Sequence, residues 1–569
     1  MSRDTTRSAS ALLLTILLCC CALPAAGADQ GTVGGYPAAQ ALRLGQAMYR
    51  DGILPSGQSM KATVQEDIEL DGAMSTCANC HQRSGMGALE GGILSPPTNG
   101  ARLYAPLKSP LDIPGSIMKR SNFKGGRPAY NRESLATLLR TGIGPAGKRI
   151  SETMPLYHLS EDEMAIMIFY LEQLSSELSP GVSDDEIRFA TILAEGTSPG
   201  DRDSLLLPLN TFITEVWNAQ IPARDRSLQG AKLPDAAKPP AAAAYRRAAL
   251  DVWELKGAPE SWGRQLEALY RERPVFALLG GIAPGKWDPV HRFCEKMEIP
   301  CIFPLTDLPV LSEKDWYTLY FSKGYYQEGE AAAKYLSRVF ALPPGKKLIQ
   351  LYRDGDQAKA LARGFGETWR KLGDTALSDR PVAGDEKIDA KFWQQLASTH
   401  PDAVLLLWLA PADLAGIEAL AASEHRPSTI FLSATLLAGA LQGVPEGIRD
   451  LTLITYPTRL PGDLESGKSA SAGWASFNTL PISNRSVAAK SYLITRVLAR
   501  VLVDMGASAY RDFFLDIVDE GKDDINSTML FPTLSFGPGQ RYASKGCYVV
   551  SVSKGKDPQV VRQSDWIIY

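Results

Sequence analysis

The run Cys77-Ala-Asn-Cys80-His81 constrains this chain more than any other stretch. Cysteines three residues apart stand one helical turn apart, so their thiols face the same way, and the next side chain lies beneath whatever they hold. The C-x-x-C-H spacing is that of covalent haem attachment. Each thiol forms a thioether to a vinyl group, and the histidine supplies a nitrogen to the iron. From about Gly52 to Glu133 the sequence is rich in Gly, Pro and Ser and poor in apolar periodicity. Such a segment packs only if a large cofactor supplies its core. Two other uses of the cysteines fit less well. A redox C-x-x-C starts a helix in a βαβ pattern, which is missing here. A structural zinc needs a second ligand pair, and the next cysteine is Cys294.

The sixth iron position needs a ligand as well. Met154 precedes Pro155 at the end of an extended loop and before a capped helix, an order that suits a thioether reaching the far face of a porphyrin. His158 is the rival. The cofactor expected is therefore one haem c, held by Cys77 and Cys80, with His81 and Met154 as axial ligands.

A haem fastened by sulfur suits a compartment outside the cytoplasm, and the N-terminus agrees. Arg3 and Arg7 precede an apolar run from Ala11 to Leu23, and Ala26-Gly27-Ala28 is a small-residue cleavage site. The expectation is a leader over residues 1–28, cut near Ala28, and a periplasmic protein. Cys19, Cys20 and Cys21 raise a lipid anchor as an alternative, but Leu18, Cys19 and Cys20 precede them where a small residue is required. Of the eight cysteines, five then remain: Cys77, Cys80, Cys294, Cys301 and Cys547. Cys294 and Cys301 form either a short-loop disulfide or two buried thiols. Lys+Arg at 60 against Asp+Glu at 63 leaves no basic surplus, which argues against a nucleic-acid partner.

Periodicity divides the rest. Helices are expected over Ala39–Arg50, with Leu42, Gly45 and Tyr49 on one face, and over Glu133–Arg140. A third follows the capping box of Ser160 and Glu163. Residues 179–185 read as a linker. From about Glu186 strands and helices alternate. Strands are expected at Ile187–Ala194, Ala248–Leu255, Val275–Leu279, Cys301–Pro304, Lys347–Tyr352, Ala403–Trp408 and Thr429–Ser433. The helices between them are Asp203–Gln220, Trp262–Arg271, Asp288–Met297, Tyr326–Phe340, Ala358–Leu372 and Ala410–Ala421, with a polar insertion at Gln229–Ala244. Alternation of this kind builds parallel sheets covered by helices.

Residues 39–178 resemble a class I c-type cytochrome, a small all-α domain. The likeness rests on Gly45 and Tyr49 in the first helix, Cys77-Cys80-His81, the Met154-Pro155 loop, and Tyr170 in the last helix. It implies that the first and last helices cross at Gly45, Tyr49 and Tyr170, and that the carbonyl of Pro96 or Pro97 orients His81. The spacer Gly85–Gly92 departs from the shortest members.

Residues 186–569 resemble a two-lobed α/β type I periplasmic binding protein of the branched-chain amino-acid-binding kind. The carriers are Val275-Phe-Ala-Leu-Leu-Gly280-Gly281, Ile299-Pro-Cys-Ile-Phe-Pro-Leu-Thr306, Gln327-Glu-Gly329 and the segment Pro532–Gln540, which resembles a C-terminal hairpin. The likeness implies a ligand cleft between the lobes with Gly281, Lys286, Thr306, Tyr325 and Tyr326 as candidates. Ile282-Ala-Pro-Gly-Lys286 stands where relatives place a Ser/Thr pair, and Tyr325 where they often have Asp, which puts an amino-acid ligand in doubt. No hydrolase elbow, zincin helix or phosphate loop is present, so no catalytic residues are expected. The expected function is single-electron transfer with a periplasmic redox partner, the large module sensing a ligand or docking a partner such as a membrane transporter or dehydrogenase. The alternative is the substrate-binding component of an ABC-type transporter with an accessory haem domain. An enzyme with an open haem position follows only if Met154 is not a ligand.

Overall fold

The computed structural model describes residues 31–65, 67–108, 126–221, 245–340, 346–373, 377–460, 481–520, 530–536 and 539–568. The expected leader and the Gln229–Ala244 insertion lie outside the described residues. Among the described residues no helix is long and apolar enough to cross a membrane.

The N-terminal unit is built on two crossed helices, α1 (Ala38–Asp51) and a last helix, α4, at Glu161–Gln173. Gly45 is required at the crossing, because a Cβ there would stand 2.4 Å from Tyr170 Cβ. Tyr49 and Tyr170 rings pack 5.4 Å apart beside it. The buried face of α1 is Ala41, Gly45, Met48 and Tyr49, and Leu42 is exposed, one position off the expected face. Ser160 and Glu163 close the capping box of α4. The unit is not all-α. Strands β1 (Lys61–Val64) and β2 (Ile68–Asp71) form an antiparallel ribbon, which β3 (Leu156–Tyr157) extends. The short helix α2 (Ala78–His81) and α3 (Arg132–Thr141) lie between these strands in sequence. Periodicity could not show such strands, because four residues or fewer carry no alternation.

The first lobe is a five-stranded parallel sheet. In chain order its strands are β4 (Glu186–Ala194), β5 (Arg247–Leu255), β6 (Ala277–Leu279), β7 (Cys301–Ile302) and β8 (Thr318–Leu319). Their spatial order is β8-β7-β6-β4-β5. Helices α5 (Pro199–Thr211), α6 (Trp262–Glu272) and α7 (Asp288–Met297) connect them. The second lobe starts with α8 (Tyr325–Lys334). Its strands are β9 (Leu348–Arg353), β10 (Leu377–Val382), β11 (Val404–Trp408), β12 (Thr429–Ser433) and β13 (Thr452–Tyr456), parallel in the order β10-β9-β11-β12-β13. Helices α9 (Asp356–Lys371) and α10 (Ala390–Thr399) pack on this lobe. The chain then returns to the first lobe, where α11 (Arg485–Met505) and α12 (Arg511–Glu520) join the core around Phe189 and Phe276. It comes back once more as β14 (Gly546–Val552), antiparallel to β13. Residues 320–321 and 541–544 run side by side between the lobes, with Tyr320 N donating to Arg541 O at 2.8 Å and Ser544 N to Phe321 O at 2.7 Å.

Several expectations need correction. No single helix spans Ala410–Ala421: Gly416, at φ +73°, separates a 3-10 turn from the short helix Glu418–Ala421. The helix expected to Phe340 leaves α-geometry at Tyr335. Residues 530–536 form no hairpin strand. Cys294 and Cys301 are free buried thiols, and burial together with the adjacent Cys301 pushes the Cys294 thiol well up.

Candidate functional site

Two places concentrate unusual chemistry. The first is α2. Cys77 precedes it and is buried, its thiol donating to the Tyr157 hydroxyl oxygen at 3.5 Å. Desolvation pushes this thiol to about 11, and burial also raises the thiol of Cys80. Disulfide exchange runs on a stabilised thiolate, so neither sulfur is set up for it. His81 is buried, and its Nδ1 donates to the Pro96 carbonyl at 2.7 Å. That bond leaves Nε2 as the acceptor nitrogen, and burial lowers the pKa so that the ring stays neutral, as a metal ligand must be. Met154 is half-buried against the same apolar cluster that holds Cys77. It also lines a shallow surface pocket with Thr63, Arg149 and Leu156, whose walls include none of Cys77, Cys80 and His81. His158, the rival ligand, is exposed and spends its Nε2 on Thr63 Oγ1 at 2.7 Å. Cys77, Cys80 and His81 fit the haem that the motif implies, as two thiols one turn apart and an oriented imidazole, whereas Met154 borders the apolar cluster of Cys77 but opens on a separate pocket.

The segment after His81 docks on the first lobe. Gln82 adopts φ +64° and its carbonyl accepts from the Tyr49 hydroxyl at 2.8 Å. Ser84 N donates to Asp516 Oδ2 at 3.0 Å, and the Arg83 guanidinium stacks 4.2 Å from the centre of the Trp316 ring. Arg50 pairs with Asp512, and Met86 is buried in the first-lobe core. Burial, with Asp512 and Asp519 nearby, pushes the Asp516 carboxyl up to about 7.

The second place is the edge where the two parallel sheets meet. Ligands of open α/β sheets sit beyond the carboxyl ends of the strands. Gly280 and Gly281 follow β6 at φ +63° and +108°, and a Cβ on Gly281 would reach within 2.8 Å of the Trp287 ring. Five residues on, Lys286 Nζ pairs with Asp356 Oδ1 of the other lobe at 2.7 Å. Thr306 follows β7 and its Oγ1 accepts from Leu308 N at 3.1 Å. The Asp307 carbonyl accepts from Tyr325 N at 3.1 Å, joining the lobes at the start of α8. Thus Lys286 and the Thr306–Asp307 segment reach the other lobe, the latter at Tyr325, whereas Gly281 packs within the first lobe against Trp287 and Ile192. Tyr326 is different: its hydroxyl donates to Glu367 Oε2 at 2.6 Å, so it ties α8 to α9 and is no cleft residue.

A profile described as Periplasmic binding protein matches residues 247–557, more than half of the chain. The chain belongs to the periplasmic binding protein family. Its likenesses among solved structures include a fatty acid ABC transporter substrate-binding protein from Thermomonospora curvata, 17% identical, covering 69% of this chain and 95% of that one, with a TM-score of 0.45. An ABC transporter substrate-binding protein from Sphaerobacter thermophilus is 13% identical over 68% of this chain and 98% of its own, at 0.48. A leucine-binding protein from Thermotoga maritima is 12% identical over 67% and 99%, at 0.42. No curated protein matches the chain. Within this periplasmic binding protein, sequence reading missed Glu328. It is fully buried in the first turn of α8, where Thr455 Oγ1 donates to its Oε2 at 2.7 Å and its Oε1 has no partner. The available signal was a glutamate opening the run Glu328-Gly-Glu-Ala-Ala-Ala, which is buried on every side.

Proposed function

We propose that this chain is an exported solute-binding protein that captures a small molecule between its lobes and presents it to a membrane transporter of the ABC type. The observations that carry this are the Lys286–Asp356 pair across the two carboxyl edges and the paired segments at 320–321 and 541–544 that connect the lobes. Such a hinge lets the lobes part and close on a solute. A ligand that binds only the folded chain raises its stability. In a thermal-shift screen of metabolites the expected result is a rise in Tm with one chemical class; a screen in which no solute shifts Tm removes the proposal.

A second reading adds an accessory haem to the N-terminal unit, favoured by the bond from His81 to Pro96 beside Cys77 and Cys80. When bound, that group supplies one-electron chemistry. Cys77 and Cys80 would fasten it, His81 Nε2 would ligate it, and Met154 would supply a further ligand. The Pro96 carbonyl holds the imidazole in one tautomer, and the Tyr157 hydroxyl meets the Cys77 sulfur. Exchange of electrons with a periplasmic redox protein belongs to this reading. Co-expressed with haem-attachment machinery, the unfolded chain should keep its colour through acidified organic extraction. Colour passing into the solvent would remove the reading and leave the solute-binding proposal standing.

A further inference from the structure

Glu328 is a fully buried carboxylate with one oxygen unpartnered, an arrangement that is costly unless something completes it. It stands at the carboxyl edge of the second sheet. Thr455 comes from the end of β13, and Ser433 and Thr435 from the end of β12 and the loop beyond, each contributing a hydroxyl that favours the ionised form. From the first lobe, the Asp307 carboxylate is close enough to raise the Glu328 carboxyl, which burial pushes to about 7. Among the described residues no lysine, arginine or histidine pairs with Glu328 or Asp307. Lys323, five residues before Glu328, is engaged by Glu330 at 3.1 Å, and Lys286 by Asp356. The Asp307 carbonyl accepts from Tyr325 N at 3.1 Å, one turn of α8 before Glu328, so two acids from opposite lobes share this edge, with no ion-pair partner for either among the described residues. The rest of the surroundings is apolar: Leu308 and Leu436 are half-buried against the cluster that includes Tyr325.

Resting on the solute-binding reading above, we propose that Glu328 and Asp307 hold the protonated amino group of a small organic amine that carries no carboxylate. A carboxylate on the solute would be repelled by both groups. On the first-lobe side it would meet Ile282-Ala283-Pro284-Gly285, which offers no side-chain donor. An amine with an aliphatic or aromatic body places its cation between the two acids and its body against Leu308 and Leu436. Parting of the lobes at the hinge admits it, and closure brings Asp307 onto it.

The test uses the full chain and calorimetry at pH 7 with 2-phenylethylamine, n-hexylamine and cadaverine as probes, and with phenylalanine and 2-phenylethanol as comparisons. At least one amine should bind at least tenfold more tightly than either comparison. Its heat should depend on the buffer, because Glu328 gives up a proton when the cation arrives. E328Q, nearly the same shape, should bind at least tenfold more weakly and lose the buffer dependence. D307N, at an exposed position that cannot disturb folding, should weaken binding severalfold. The proposal is overturned if phenylalanine or the alcohol binds as tightly as the amines, if E328Q and D307N bind unchanged, or if no amine binds while another solute does. In each of those cases the solute-binding function survives. Only a complete absence of ligands in the wider screen removes both.

Discussion

Replacing Asp516 by Asn should make the chain more stable at pH 8 and leave it nearly unchanged at pH 4.5. Asp516 lies at the seam between the N-terminal unit and the first lobe, almost fully buried, with its carboxyl pushed up to about 7 by burial and by Asp512 and Asp519. An unfolded aspartate titrates near 3.9. The folded state therefore holds its proton more tightly than the unfolded one. The stability linked to this group is greatest below the unfolded value, falls as pH rises from about 4 to about 7, and is level above that. At about 1.36 kcal/mol per pH unit, a gap of roughly three units sets an upper bound of about 4 kcal/mol lost on moving from pH 4 to pH 8. Asparagine stays neutral throughout, and its side-chain oxygen keeps the bond from Ser84 N. D516N should thus recover on the order of 1–4 kcal/mol at pH 8. Calorimetric unfolding of wild type and variant at pH 4.5, 6 and 8 measures this, with hydrogen exchange of α12 and of residues 82–86 locating the effect. The reasoning is refuted if D516N loses stability at pH 8 or if the difference from wild type is independent of pH.

Other perturbations follow from packing and charge. Arg511 is buried and donates to the carbonyls of Val275, Phe276, Met297 and Glu298, so Arg511→Met should cost about 3–5 kcal/mol of first-lobe stability in chemical denaturation. Gly45→Val, with a Cβ driven into Tyr170, should cost roughly 1–3 kcal/mol and raise hydrogen exchange in α1 and α4 while sparing the lobes. Lys286→Ala removes a half-exposed ion pair worth about 0–1 kcal/mol. It should leave Tm nearly unchanged while shifting small-angle scattering toward the open arrangement. In haem-loaded protein, Met154→Ala should abolish the methionine-to-iron charge-transfer band, whereas His158→Ala should not.

Much of the architecture was legible because local signals carried it. The α7 helix begins and ends where periodicity places it, at Asp288 and Met297, and the parallel lobes follow from alternating strands and helices. The capping box at Ser160 is likewise written in neighbouring side chains, whereas the α1–α4 crossing at Gly45 followed only from the resemblance, since Gly45 meets Tyr170 from far along the chain. The strands of the N-terminal unit were not, being too short to alternate. The long helix α11 escaped because it follows a polar stretch and covers the first lobe, so its place depends on a sheet formed far earlier in the chain.

For the candidate sites the division is similar. Spacing alone marks Cys77, Cys80 and His81 as candidates, since the proposed haem attachment needs them within one turn. That the Pro96 carbonyl, and not that of Pro97, accepts the bond from His81 Nδ1 was decided by the fold of the loop between them. Tyr325 and Tyr326 are adjacent in sequence, yet one starts α8 at the lobe boundary and the other turns to Glu367, because neighbouring residues of a helix point about 100° apart. Glu328 had no local mark of function. Its hydrogen-bond partner Thr455, and the hydroxyls of Ser433 and Thr435 nearby, lie more than a hundred residues away and meet it only where two strands end beside one helix. Local periodicity can state which side chains a helix presents; what those side chains meet is settled by long-range packing, and there the chemistry of this cleft was decided.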